Sequence, residues 1–155
     1  MRFFELQTPR HLLDKLGREY DRLSASANVD NIFNFYVTAY HIKDYLIESG
    51  AMQKKDAEDL FSDKDPELWF CRDLANMAKH LSLKGTARNP RDEQTVPMAR
   101  IVAGGLNESA MNEVPFNGGL QWMLRYPDGR SANVVDHAYN VVKRLVDEFA
   151  ARGIA

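Results

Sequence analysis

The chain has 155 residues, of which 45% are hydrophobic and 27% charged, as in an ordinary soluble globular protein. This length suits one domain with a substantial core, so we expect residues 1–155 to form a single domain. The net charge of −2 favours neither nucleic acid nor an anionic membrane globally, so any such binding requires a local patch. One cysteine excludes an internal disulfide, and no apolar run resembles a signal peptide or membrane span, so we expect a cytoplasmic protein without a membrane partner.

The first two predicted helices carry clear boundary signals. Thr8 and Pro9 combine a hydroxyl N-cap with a proline at the first helical position, and they predict a helix from about Pro9 to Ser24. A second helix is predicted from Asn31 to Ser49, and its wide aromatic and apolar arc indicates a central place in the core. Its narrower polar stripe contains Asn34, Thr38, His41, Asp44, Tyr45 and Glu48.

A third helix is predicted after a charged segment, residues 51–64, that we expect to be partly helical at most. Asp65 is the expected N-cap of this helix, Pro66 its first residue, and Gly85 marks its end. Its polar face contains Trp69, Arg72, Asp73, Asn76 and His80. A tryptophan exposed on such a face would be unusual, which argues against a plain solvated surface.

Beyond the third helix the pattern changes from helical spacing to alternation. Residues 98–104, 119–126 and 130–134 predict two or three short antiparallel strands. A final helix is predicted to begin near Asn133, a candidate N-cap, with Asp136 three residues later. The predicted fold is therefore mainly α, a four-helix bundle with a small antiparallel β-hairpin insert before the last helix.

The polar face of the third helix is the first candidate site. Asn76 and His80 are four residues apart and lie on one face, with Arg72 one further turn back. Arginine can clamp a phosphate, histidine can transfer a proton near neutral pH, and asparagine can orient either the histidine or the substrate. These three residues are the predicted catalytic group. The alternative is a solvated outer face on which Asp73 and Lys79 balance in charge.

A metal-dependent hydrolase is an alternative function. His41 and Asp44 share a helix face at a spacing that suits two metal ligands or an acid–base pair, and His80 could add a ligand. His137 would be a further ligand if the last helix packs beside the second. The identity of any metal or other cofactor is open. The simpler alternative is a partly exposed polar stripe, or a histidine hydrogen-bonded to a neighbouring helix.

A third alternative is a module without catalytic activity that binds another protein. Its binding surface would be the predicted hairpin region, where aromatic and methionine side chains are frequent. The residues concerned are Met111, Phe116, Trp122 and Met123.

Two segments carry a family resemblance. The stretches FNFYVTAYHIKDYL and WFCRDLANMAKH resemble a group of small, largely uncharacterised bacterial and phage-associated helical proteins. More loosely, a helical bundle with an arginine–polar pair and a downstream histidine resembles the HEPN superfamily, which includes many RNases and phage-defence components that act as dimers. Arg72 and Asp73 match the pair, and His80 would be the histidine, after seven intervening residues rather than four to six.

The HEPN resemblance implies a function and an assembly. It implies RNA or another phosphate-bearing ligand, and a homodimer that brings two sites together across one groove. It also implies that His80 is the general acid and base, that Arg72 stabilises the phosphate charge, and that Asn76 orients the reacting groups.

Overall fold

The structure is a computed structural model that describes residues 5–62, 64–65, 67–79, 100–102, 121–125 and 131–155. Its helices are α1 (Pro9–Ala25), α2 (Val29–Glu48), α3 (Lys54–Leu60), α4 (Trp69–Lys79) and α5 (Val134–Arg152). Its strands are β1 (Arg100–Val102), β2 (Gln121–Arg125) and β3 (Ser131–Asn133). The predictions of a mainly helical fold and of a small antiparallel sheet before the last helix are confirmed.

The predicted start of the first helix is confirmed. The second helix begins two residues earlier than predicted, because Asn28 acts as its N-cap. Thr8 Oγ1 accepts a hydrogen bond from the backbone N–H of His11 at 3.1 Å. Asn28 Oδ1 accepts one from the backbone N–H of Asn31 at 2.9 Å. Asn28 therefore satisfies an otherwise unpaired N–H of the first turn, so α2 begins at Val29 rather than at Asn31.

The capping role predicted for Asp65 is also present, although the regular helix begins later. Asp65 Oδ1 accepts hydrogen bonds from the backbone N–H groups of Glu67 at 3.0 Å and Leu68 at 2.9 Å. These bonds stabilise a turn, and α4 itself begins at Trp69. Pro66 and the predicted end of this helix lie outside the described residues.

The last helix has the predicted boundaries. Asn133 Oδ1 accepts a hydrogen bond from the backbone N–H of Val135 at 2.8 Å and a longer one from that of Asp136 at 3.4 Å. Gly153 ends the helix in the left-handed region, with φ 64°, where a side chain would be strained. The sequence signals at both ends of α5 were therefore sufficient.

The three strands form an antiparallel sheet in the order β1-β2-β3. Arg100 is opposite Met123, and Leu124 is opposite Ala132. The side chain of Leu124 is fully buried in the core. The sheet thus contributes to the same core as the helices instead of forming a separate unit.

Helix α2 is central, because α1, α3, α4 and α5 all contact it. Its fully buried side chains are Phe35, Tyr36, Ala39, Ile42 and Leu46. The predicted central place of this helix is confirmed, and the segment expected to be partly helical contains the two-turn α3. None of the described helices is both long and apolar enough to cross a membrane.

Candidate functional site

A groove of about 430 Å³ lies where α2 packs beside α4. The described residues that line it are Phe33, Val37, Tyr40, His41, Lys43 and Asp44 from α2, and Ala75 and Asn76 from α4. The α2 residues recur at intervals of three, four and seven, which places them on one stripe of the helix. The structure therefore brings His41 and Asp44 together with Asn76, although the sequence placed them in separate candidate sites.

Lys43 supplies positive charge to the groove. Its Nζ donates a hydrogen bond to Tyr40 Oη at 3.0 Å and lies 4.4 Å from the centroid of the Tyr40 ring. The Tyr40 ring in turn packs edge-on against Phe61, with 5.7 Å between centroids. Asp44 Oδ1 is 3.8 Å from Nζ, at the outer limit of an ion pair. Lys43 is thus held in place by an aromatic ring, and its charge is only weakly compensated.

An exposed aromatic side chain lies at one end of the groove. Phe33 is 48% exposed although α2 is the most apolar of the long helices that the structure describes. Val29, one turn earlier on α2, is also exposed. A flat apolar ring in the same groove as the lysine suits ligands that have both a stacking surface and a negative charge.

Arg72 lies on α4 but not among the described residues that line the groove. Its Nε and Nη2 both contact Asp73 Oδ1 at 2.9 Å, and Asp73 is only 2% exposed. The guanidinium therefore compensates a buried carboxylate, which otherwise would be costly to bury. His80, the third member of the predicted catalytic group, lies outside the described residues.

The face of α4 that was interpreted as polar is largely covered. Trp69 is buried, as is Asp73, and the Trp69 ring stacks on Phe70 with 4.0 Å between centroids. The burial of Trp69 agrees with the argument from sequence that a tryptophan exposed on this face would be unusual. A solvated outer face is therefore wrong for these two positions, because packing around α4 covers more of its circumference than its sequence periodicity indicates.

His137 is a buried core residue. Its Nδ1 lies 2.7 Å from Tyr36 Oη, and its Nε2 lies 3.2 Å from the backbone carbonyl oxygen of Glu67. Because a carbonyl oxygen only accepts, Nε2 carries the proton and Nδ1 accepts from the tyrosine hydroxyl. Burial lowers the pKa of His137 to about 4, and its backbone hydrogen bond offsets only part of that effect.

Of the three alternative metal ligands, His41 and Asp44 share the groove, but His137 does not join them. Helix α5 contacts α2 as that hypothesis required, but His137 packs against Tyr36, which lies about 140° around α2 from His41. Both ring nitrogens of His137 are also engaged in the core. Among the described residues there is no group of three or more His, Cys, Asp or Glu side chains that could hold a metal ion.

The predicted protein-binding hairpin is only partly described. Trp122 donates a hydrogen bond from Nε1 to the backbone oxygen of Ala27 at 3.1 Å and packs against the core. Met123 is half-buried in the same strand. Met111 and Phe116 lie outside the described residues. Trp122 therefore stabilises the fold instead of presenting a free aromatic surface.

Sequence reasoning missed several residues that matter in this structure. Tyr40 and Lys43 are three residues apart on one helix, a spacing that could have indicated a cation–π contact beside His41. Tyr36 and His137 are 101 positions apart, and no local pattern indicates their contact.

Comparison of the chain with protein-family models, with curated proteins and with solved structures gives no significant match.

Proposed function

We propose that the α2–α4 groove binds single-stranded RNA and that the protein acts on RNA in the manner of HEPN-like proteins. The observation that carries this proposal is the arrangement of Lys43, His41 and Asn76 in one groove with the exposed ring of Phe33 at its end. A cation can bind the phosphate backbone, and an exposed ring can stack on an unpaired base.

The groove's electrostatics favour this ligand over a purely apolar one. The chain as a whole has a net charge of −2, so binding of a polyanion depends on local cations. Lys43 provides such a charge. Its ion pair with Asp44 is long and therefore weak, so a phosphate can replace Asp44 as the partner of Lys43. Arg72 compensates Asp73 and is not among the described residues that line the groove, so we assign the phosphate contact to Lys43.

The groove's size favours a single strand over a duplex. Its volume of about 430 Å³ lies within the range of ligand-sized clefts. One nucleotide can enter such a cleft, with its base on Phe33 and its phosphate near Lys43. A duplex presents a wide regular surface that a narrow groove between two helices cannot accommodate.

In the proposed reaction, histidine transfers protons at the scissile phosphodiester. His80 is assigned as general acid and base, and Asn76 orients the reacting groups. His41 lines the same groove and is the second candidate for proton transfer. From the HEPN resemblance we also propose a homodimer that brings two such sites together across one groove. In each protomer, α1, α2, α4 and α5 are the helices of the proposed four-helix bundle.

Binding of a fluorescent single-stranded RNA, followed by anisotropy at several salt concentrations, tests the proposal. We expect Lys43→Ala to weaken binding by about tenfold and to reduce its salt dependence. Lys55→Ala removes an equal charge from an exposed position on α3 and is the matched control. Equal affinity of both variants and the unmodified protein would reject the groove as the RNA site.

A further inference from the structure

A second cavity, of about 580 Å³, lies along α1 and the residues that precede it. It shares no described lining residue with the α2–α4 groove. Five charged side chains of α1 line it at helical spacing and give it mixed charge: Asp14, Lys15, Arg18, Glu19 and Arg22. Its volume is typical of a site for a small molecule.

Glu19 is a buried acid within this cavity and is only 4% exposed. Its Oε1 accepts from Lys15 Nζ at 2.6 Å and from Arg22 Nη1 at 2.8 Å. Its Oε2 is also buried, and no donor in the described part of the chain forms a hydrogen bond with it. A buried carboxylate oxygen that lacks a donor indicates a place for one more polar group.

The group that donates a hydrogen bond to Glu19 Oε2 does not need a positive charge. Burial raises the pKa of Glu19, but the hydrogen bonds and charges of Lys15 and Arg22 outweigh this effect, so the pKa is lowered overall. The carboxylate is therefore already ionised and compensated by two cations. A neutral O–H donor would complete its hydrogen bonds without adding a third cation. A ligand reaches the buried Oε2 only if a neighbouring side chain moves, and Arg22, which bonds the same carboxylate, is 58% exposed.

Arg18 lines the same cavity and provides a positive charge that favours an anionic group of the ligand. It is exposed, and it forms no hydrogen bond or ion pair with the other residues that the structure describes. By contrast, Arg10 pairs with Asp14 at 3.2 Å. An available guanidinium fork binds phosphate through two parallel hydrogen bonds.

His11 adds a further donor on this side of α1. The backbone N–H of Gln7 donates to His11 Nδ1 at 3.3 Å. Nδ1 is thus the acceptor nitrogen of the neutral ring, and Nε2 carries the proton. His11 also lines the cavity, about two turns before Arg18 on the same stripe of α1.

We propose that the α1 cavity is a binding site for a small hydroxylated organic phosphate of sugar-phosphate size. The phosphate binds Arg18 and His11, and a hydroxyl of the ligand donates to Glu19 Oε2. The ligand therefore needs both groups, joined by a short polar scaffold. This site is separate from the groove proposed for RNA, and either can be absent without affecting the other.

Calorimetric titration of the full chain with ribose 5-phosphate tests this site, with ribose and methyl phosphate as partial ligands. We expect ribose 5-phosphate to bind more tightly than either partial ligand. Arg18→Gln should weaken binding by about tenfold. Lys55→Gln, at an exposed position of α3 outside the cavity lining, should leave it unchanged.

Three results would overturn the proposal. The first is no heat of binding for ribose 5-phosphate at millimolar concentration. The second is equal affinity for Arg18→Gln and the unmodified protein. The third is equal affinity for methyl phosphate and ribose 5-phosphate, which would exclude the hydroxyl contact with Glu19. Circular dichroism of Arg18→Gln and Lys55→Gln checks that both variants are folded, so that a loss of binding cannot be attributed to unfolding.

Discussion

The hydroxyl of Tyr36 lies 2.7 Å from Nδ1 of His137, and this contact joins α2 to α5 across the core. The other ring nitrogen of His137 contacts the backbone oxygen of Glu67, just before α4. The imidazole therefore bridges three parts of the fold while remaining neutral. A carboxylate oxygen of Glu67 lies 3.5 Å from Nε2, and burial and the charge of Asp65 raise the pKa of that carboxyl.

The buried histidine predicts a pH-dependent stability. Between pH 6.5 and about 4 the unfolded chain binds a proton on His137 that the folded protein does not, so the free energy of unfolding falls as pH falls through this window. The difference between the ordinary histidine pKa of 6.5 and the pKa of about 4 in the folded protein corresponds to about 3 kcal/mol in the free energy of unfolding. Urea unfolding at several pH values measures it. The His137→Gln variant should lose this part of the pH dependence, and an unchanged slope would contradict the assignment.

The Glu19 ion pairs predict a second contribution. Lys15 Nζ donates to Glu19 and also to Thr38 Oγ1 at 3.2 Å, which links α1 to α2. Lys15→Met should therefore lower the free energy of unfolding by about 2 kcal/mol at neutral pH. Because the pKa of Glu19 is lowered in the folded protein, its contribution should be present above the ordinary pKa of 4.5 and lost as pH falls through the lowered value.

The control for this prediction is an exposed lysine pair. Lys54 lies 3.8 Å from Glu58 on α3, and both side chains are largely exposed. Lys54→Met should change the free energy of unfolding by less than about 0.5 kcal/mol. Similar losses in the free energy of unfolding of both variants would mean that the buried ion pairs of Glu19 stabilise the fold no more than an exposed ion pair does.

Asp65 stabilises the fold through a helix cap and through an ion pair, and substitutions can separate the two contributions. Its Oδ1 caps the turn before α4, and its Oδ2 accepts from Arg144 Nε at 2.9 Å. Asp65→Asn keeps an oxygen for the cap and loses the ion pair, so it should cost about 1 kcal/mol. Asp65→Ala loses both and should cost about 2–3 kcal/mol. Thermal and urea unfolding of the two variants measure the difference, and equal losses would rule out a capping contribution.

Phe33 predicts a change in binding without a change in stability. Since its ring is already half exposed, Phe33→Ser should alter the free energy of unfolding by less than about 0.5 kcal/mol. The same variant should weaken RNA binding by about tenfold, because it removes the stacking surface. Tyr139→Ser removes another exposed aromatic ring, on α5, and should leave RNA binding unchanged. Equal binding by both variants would exclude stacking on Phe33.

Local signals in the sequence predicted most of the helix boundaries. Thr8, Asn133 and Gly153 act within one turn of the chain, so their roles could be inferred without a structure. Asp65 shows the limit of such signals, since its cap is present but the regular helix begins four residues later. A cap fixes where N–H groups are satisfied, whereas tertiary packing decides where helical geometry starts.

The candidate site depended on packing between helices. Helical periodicity placed His41 and Asn76 on polar stripes, but only the pairing of α2 with α4 brings them into one groove. The same periodicity placed Asp73 on a polar face, although that side chain is buried against Arg72. A helical projection shows which residues share a face, and it does not show which neighbours cover that face.

The measurement that tests the central claim most directly is the NMR signal of His41 during titration with single-stranded RNA. The ring signal is assigned by its loss in His41→Gln. If RNA occupies the α2–α4 groove, the His41 signal should shift in proportion to bound RNA, and Lys43→Ala should weaken that response. RNA binding that leaves the His41 signal unchanged, or no RNA binding at low salt, would contradict the account.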